Sequence, residues 1–112
     1  MATKVFEGRS TSSSDQIYNI ENDKIYKGKS TSSSDEIKNI SVSGINIVDL
    51  NKVYKGKSNS NSDLIMTIEK LKIFEGKSNS NSDQIASISN DELTDEEFEK
   101  IIYLVAQKNN LF

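Results

Sequence analysis

The sequence contains neither cysteine nor histidine in its 112 residues. Without cysteine, the protein has no disulfide bond, no thiolate nucleophile and no cysteine-based metal site. Without histidine, metal binding is restricted to oxygen ligands, and acid–base chemistry is restricted to carboxylates, lysine and tyrosine. These two absences leave little chemistry available to an active site.

Long apolar runs are also missing. No apolar segment approaches the ~20 residues that a membrane-spanning helix needs, and residues 1–9 lack the apolar core of a signal peptide. We therefore expect a protein that makes no membrane contact and stays in the cytoplasm.

Basic and acidic residues are nearly balanced over most of the chain but not in residues 91–112. Up to Asn90 the sequence holds 12 basic and 11 acidic residues, whereas residues 91–112 hold two basic and six acidic ones. A nearly neutral body gives no electrostatic footprint for nucleic acid. The acidic end is typical of a solvated helix face.

One stretch occurs four times, first from Lys4 to Ile20, with the pattern K-[VI]-[FY]-[EK]-G-[RK]-S-x-S-x-S-D-x-I-x-x-I. Copies one to four occupy residues 4–22, 23–40, 51–70 and 71–89, and an insertion at 41–50 separates the second from the third. Copies one and two share T-S-S-S-D and copies three and four share N-S-N-S-D, which indicates that a two-copy unit was duplicated. A fixed period of this kind predicts a repeat architecture.

Each copy predicts two short strands. The first, Lys4–Ser10 in copy one, should bend at its glycine. Ser10, Ser12 and Ser14 recur with a period of two, which predicts that these serines face a tightly packed neighbour. The spacing of Ile17 and Ile20 breaks strict alternation and predicts a bulge or corner between them.

The pattern changes after the fourth copy. Thr94 and Glu97 form a capping box, and an apolar stripe predicts an amphipathic helix over residues 94–108; the stripe consists of Phe98, Ile101, Ile102 and Val105. We expect a single domain over residues 1–112 that is mainly β, with four two-strand copies in a pseudo-four-fold arrangement and one C-terminal helix. A short β-solenoid of 20-residue coils is the alternative.

An aromatic and a cationic position recur in every copy: Phe6, Tyr26, Tyr54 and Phe74, and Arg9, Lys29, Lys57 and Lys77. Such repeated positions are typical of a repeat lectin or of a pocket for a small anionic molecule, so these eight residues are our candidate binding residues. The competing interpretation is that the aromatics pack inside the protein and the cations are merely solvated.

We predict no catalytic residue, metal or cofactor. Gly-Lys-Ser, as at Gly28, lacks the upstream glycine of a phosphate-binding loop. Residues 90–98 resemble half of a calcium loop, but Ala86 and Ile88 would occupy its ligand positions. The repeated aspartates could surround a hard cation in a closed arrangement, although capping of each local turn also explains them; they are Asp15, Asp35, Asp63 and Asp83.

Near-identical copies give every candidate residue four similar environments, whereas catalysis singles out one. We therefore expect a non-enzymatic binding or interaction module whose partner is a protein or a small anionic ligand. The alternative is a structural homo-oligomer assembled through strand edges or the C-terminal helix. An enzyme is the third possibility.

The repeated segments Ile25–Ser30 and Ser34–Ile37, together with the Thr94–Phe98 sequence T-D-E-E-F, carry a family resemblance. They resemble uncharacterised small bacterial proteins built from I-Y-x-G-x-S-x-x-S-S-D-x-[IV] units and ending in a T-x-E-E-F helix. The resemblance covers about residues 4–105. It implies a bacterial or phage origin and transfers no active site.

Overall fold

The computed structural model describes residues 2–112, which form eight short strands followed by one helix. The elements are β1 (Thr3–Glu7), β2 (Gln16–Glu21), β3 (Lys24–Lys27), β4 (Ile45–Val48), β5 (Lys52–Lys55), β6 (Leu64–Glu69), β7 (Lys72–Glu75), β8 (Gln84–Ile88) and α1 (Asp95–Lys108). The prediction of a mainly β protein with one C-terminal helix is confirmed.

All eight strands belong to one open antiparallel sheet, in the order β3-β2-β1-β8-β7-β6-β5-β4. Along the sheet, copies three, four, one and two therefore follow one another, with β4 at one edge. Stacked solenoid coils would pair equivalent strands in parallel, so the antiparallel hairpins exclude the solenoid alternative.

Three copies contain both predicted strands, but copy two contains only its first. Its second half makes a single bridge between Tyr26 and Glu36 and a bond from the Ile37 N–H to the Ile25 carbonyl (2.7 Å). Beyond that point Asn39 has a positive φ of 58°. The strand predicted there is absent, because no further strand pairs on its outer side within residues 2–112.

The bulges lie at the first isoleucine of the Ile-x-x-Ile spacing, which is one end of the interval where we predict a bulge or corner. In copy one, Val5 pairs with Tyr18 and Phe6 pairs with Gln16, so Ile17 is the extra residue on β2. The same shift in copies three and four leaves Ile65 and Ile85 as the extra residues. Each bulge frees a backbone carbonyl beside the neighbouring copy.

The helix covers one face of the sheet. Thr94 caps α1 through both hydrogen bonds of the predicted capping box, and Ile101, Ile102 and Val105 are fully buried. They share one hydrophobic cluster with Val5, Ile73 and other sheet residues. These three residues of the apolar stripe are therefore covered by the sheet within a single chain, whereas Phe98 is only partly buried. Within residues 2–112, no helix has the length and apolar character needed to cross a bilayer.

Replacing Ile102 by alanine should lower the free energy of unfolding by about 2–5 kcal/mol, because it removes buried methylene groups and leaves a cavity between helix and sheet. Denaturant-induced unfolding followed by circular dichroism measures this change. Gln107→Ala, on the exposed side of the same helix, is the matched control and should change stability by less than about 0.5 kcal/mol. Equal effects of the two variants would contradict this packing.

Candidate binding grooves between the copies

The repeated serines fold each copy into a compact turn between its two halves. In copy one, Ser10 Oγ accepts from the Ser12 N–H (2.9 Å), Ser12 Oγ lies 2.9 Å from Ser14 Oγ, and the Asp15 N–H donates to the Ser12 carbonyl (2.9 Å). Ser10 is half-buried, but Ser12 and Ser14 are exposed, so the prediction that the serines face a packed neighbour is wrong for the last two. Their period of two reflects hydrogen bonding within a turn.

The aspartates end these turns in all four copies. They do not converge, because no three carboxylates within residues 2–112 are grouped closely enough to hold a metal ion. The alternative of a shared cation on a common axis is therefore wrong for this arrangement.

The four repeated aromatics are buried: Phe6 is 5% exposed, Tyr26 8%, Tyr54 5% and Phe74 3%. Each follows a residue of the helix-facing core, and successive strand residues point to opposite faces, so the rings lie on the side away from α1. Their faces are not open to a ligand. The interpretation of these aromatics as packing groups fits the structure, and their prediction as direct ligand contacts does not.

The repeated cations Arg9, Lys29, Lys57 and Lys77 are all exposed. They lie in the turns, next to the glycines that adopt positive φ, such as Gly28 at 60°. Only glycine adopts this conformation without a steric penalty. The glycine thus reverses the chain, and the turn folds back toward the first strand of its own copy.

Two hydrogen bonds attach each turn to the copy beside it. The first runs from the glycine N–H to a carbonyl on the adjacent strand, as from Gly28 to Ile17 (2.8 Å), from Gly76 to Ile65 (2.7 Å) and from Gly8 to Ile85 (2.9 Å). In these three cases the acceptor is the bulge residue. The Gly56 N–H makes the same bond to the Gly44 carbonyl beside β4 (2.8 Å).

The second bond comes from a polar side chain that precedes the last isoleucine of the adjacent strand. Ser87 Oγ donates to the Gly8 carbonyl (2.8 Å), and Thr67 Oγ1 donates to the Gly76 carbonyl (2.6 Å). Asn19 Nδ2 and Asn46 Nδ2 donate to the carbonyls of Ser30 (3.2 Å) and Ser58 (3.0 Å). Our sequence reasoning missed these residues, although a hydrogen-bonding residue at this position in every copy was a visible signal.

An open groove of about 330 Å³ lies where copy four meets copy one. Its polar lining consists of Arg9, Thr11, Lys72, Asn81, Gln84 and Ser87, and no carboxylate contributes. Gln84 Nε2 donates to Ser87 Oγ (2.8 Å), which fixes the base of the groove. Two cations, two amides and two hydroxyl groups thus line one concave surface together with the apolar side chains of Leu71 and Ile88.

The strand register repeats this arrangement at two other junctions. Lys4 lies opposite Asn19 and Lys52 lies opposite Thr67, just as Lys72 lies opposite Ser87. The turn that accepts a hydrogen bond from each polar side chain carries Lys29, Lys77 or Arg9, respectively. Three junctions therefore combine one strand cation with one turn cation: Lys4 with Lys29, Lys52 with Lys77, and Lys72 with Arg9.

The remaining repeated lysines lack this partnership. Lys57 belongs to the turn beside β4. Because β4 is an edge strand, the sheet of residues 2–112 has no strand beyond β4 that could place a lysine opposite Asn46. Lys24 lines a different depression with Lys38 and Lys100, to which Asp23 and Glu36 contribute carboxylates. Lys24 and Lys57 are therefore natural controls for the three junctions.

The one group with a clearly shifted pKa among the described residues lies outside the grooves. Burial raises the pKa of Tyr18, which is further from neutrality than that of an ordinary tyrosine. The Tyr18 hydroxyl therefore stays protonated at neutral pH.

The family model described as "6-fold beta flower protein" matches residues 2–97. The chain belongs to this family. No curated protein and no solved structure gives a match. The match supports the resemblance to a small repeat-protein family, and it includes every strand but only the first residues of α1. The family description names a six-fold flower, whereas this chain carries four copies, so the pseudo-four-fold arrangement is not confirmed.

Ser87→Ala should lower the free energy of unfolding by about 1–3 kcal/mol, because it leaves the Gly8 carbonyl without its side-chain donor. Amide hydrogen exchange should become faster at Gly8, whose turn loses one of its two attachments. Ser13→Ala is the control, because Ser13 is exposed in the same turn and should change stability by less than about 0.5 kcal/mol. Unchanged exchange at Gly8 would contradict the attachment.

Asn19→Thr should raise the free energy of unfolding by about 1 kcal/mol. Asn19 Oδ1 is buried without a hydrogen-bond partner among the described residues, and an unpaired buried acceptor is costly. Threonine performs the equivalent donation at Thr67. Asn46→Thr is the control, since Asn46 is only partly buried, and thermal unfolding should show no comparable gain. A larger gain at Asn46 would refute this explanation.

Proposed function

We propose that this protein is a non-enzymatic module that binds small anionic ligands in the grooves between adjacent copies. The observation that carries the proposal is the groove at the junction of copies four and one, where Arg9 and Lys72 line the same concave surface without any carboxylate. An anion in this groove would meet two cations and no like charge, which favours both encounter and retention.

The chemistry of the lining also favours a particular kind of anion. Asn81 and Gln84 supply amide groups, and Thr11 supplies a hydroxyl group, so a ligand that carries hydroxyl groups beside its negative charge finds hydrogen-bonding partners. The volume of about 330 Å³ lies at the lower end of the range for small-molecule sites. A sugar acid or a hydroxylated carboxylate is the class that fits best.

Repetition is the reason to prefer binding over catalysis. Each of three junctions combines a strand cation with a turn cation, and several weak contacts of this kind suit avidity for a ligand with repeated anionic groups. We further propose that the four copies follow a pseudo-four-fold pattern around the sheet and that the protein acts in the cytoplasm of a bacterium. The repeated junctions support the first of these proposals, and the sequence resemblance supports the bacterial origin.

The double variant Arg9→Gln/Lys72→Gln should lose binding at the junction of copies four and one. An NMR titration with glucuronate, citrate or inorganic phosphate, with neutral glucose for comparison, should shift the amide signals of Thr11 and Gln84 in the native protein. In the variant these shifts should disappear, while the junctions that contain Lys29 and Lys77 still respond. Thermal unfolding should change little, because exposed charges contribute little to stability.

The matched control is Lys24→Gln/Lys57→Gln, which removes the same charge from equivalent positions outside the paired junctions. It should leave all three sets of shifts intact, whereas neutralising Arg9, Lys29, Lys57 and Lys77 together should abolish anion binding. Equal losses in the two double variants would mean that net charge, and not the paired grooves, governs binding. Persistent binding by the quadruple variant would place the interaction elsewhere.

A further inference from the structure

The outer edge of β4 is an unpaired strand edge among residues 2–112. β4 pairs only with β5, with Asn46 opposite Tyr54 and Ile47 opposite Val53. The Gly44 carbonyl already accepts from the Gly56 N–H on the β5 side. Because inward and outward groups alternate along an antiparallel strand, Ile45 and Ile47 direct their N–H and C=O groups away from β5.

This edge is short, at four residues, but it lacks the charged side chains and the proline that usually protect an edge strand. Its sequence, Ile45–Val48, is I-N-I-V, which has no charge and no proline, and such an edge is a template for pairing with another chain. The opposite edge differs, because β3 has a lysine at each end and its outer side is occupied by the Tyr26–Glu36 bridge and the Ile37 N–H bond. Only one of the two edges is therefore open.

Exposed apolar surface is concentrated at the same place. Val42 and Phe112, at 37% and 38% exposure, are the two large hydrophobic residues with exposed side chains among those described. Val42 lies just before Gly44, and the Phe112 ring lies so close to Gly44 that a Cβ there would be 3.2 Å from it. The ring also packs at a centroid distance of 5.5 Å against Tyr103. Val42 and Phe112 therefore form a small apolar margin near the start of β4.

We infer that two copies of this chain associate by pairing β4 with β4 in antiparallel orientation about a two-fold axis at Asn46. Ile45 of one copy then pairs with Ile47 of the other, and the outward groups of these residues form four backbone hydrogen bonds. The strand is self-complementary in this register, and its lack of charge avoids the repulsion that identical charged edges would produce.

A second copy suits this edge for a further reason. Assembly stops at two chains, because the β3 edge is already occupied and cannot continue the sheet in a third. The contact involves four residues of each strand and a small apolar margin, so its area falls below the ~1,200 Å² of stable complexes. The dimer should therefore be reversible and dependent on concentration. It uses none of the groove residues and does not rest on the proposed binding function.

Sedimentation equilibrium combined with amide hydrogen exchange on the unmodified chain tests this inference. As concentration rises from about 10 μM to about 1 mM, spanning the range of weak association, the average mass should move from monomer toward dimer. Over the same range the amides of Ile45 and Ile47 should exchange at least several-fold more slowly. A monomer at every concentration overturns the inference, as does a dimer in which these two amides exchange at an unchanged rate.

Ile47→Pro provides an independent arm, because proline removes one outward N–H but leaves the inward bonds of Asn46 and Val48 in place. Dimer formation should be lost, while Ile47→Val, which keeps that N–H, should retain it. Continued dimerisation of a folded Ile47→Pro protein overturns the inference. If this variant fails to fold, the exchange rates in the unmodified chain decide the question.

Discussion

The attachment of each turn to the neighbouring copy is the interaction on which the rest of the structure depends. A glycine N–H donates to a carbonyl on the adjacent strand, and a polar side chain donates to a carbonyl of the turn. Both acceptors would be unpaired if the copies separated, and unpaired buried backbone groups are costly. Copies held together in this way share their junctions, so the grooves belong to pairs of copies and not to any one of them.

The same attachment explains why serine can be so abundant without a loss of order. Each turn satisfies its own polar groups through bonds such as those among Ser10, Ser12 and Ser14. The exposed side of the turn is then free to carry Arg9 or its equivalents. Hydrophobic packing and surface chemistry are thereby separated within a segment of about ten residues.

Much of the fold was predictable because the repeat and the helix have strong local signals. Thr94 and Glu97 identified the start of α1, and the recurring Val/Ile-aromatic pairs identified the first strand of each copy. The missing second strand of copy two was not predictable from its own sequence, because residues 36–40 resemble 16–20 closely. What differs is the neighbour: β1 and β3 flank β2, whereas nothing continues the sheet beyond residues 36–40 among the described residues.

The candidate site was predictable only in part. Arg9 and its equivalents were identifiable by repetition, but their partners Lys4, Lys52 and Lys72 come from a different copy and meet them only through sheet register. Phe6 and Tyr26 likewise become buried only in the folded chain. Solvent exposure is a property of tertiary structure. The same sequence pattern of an aromatic residue near a cation therefore occurs whether the ring is exposed to a ligand or buried.

The pairing of β1 with β8 has a consequence for how the chain reaches this structure. Val5 lies opposite Ile88, so one side of the first strand has no partner until nearly all of the protein has been synthesised. β1, β2 and β3 can form a meander early, but the backbone groups on the other edge of β1 stay unpaired until β8 is available. Contacts of such long sequence separation slow folding. During that time the unpaired edge of β1 can pair with a strand of another nascent chain, which leads to aggregation.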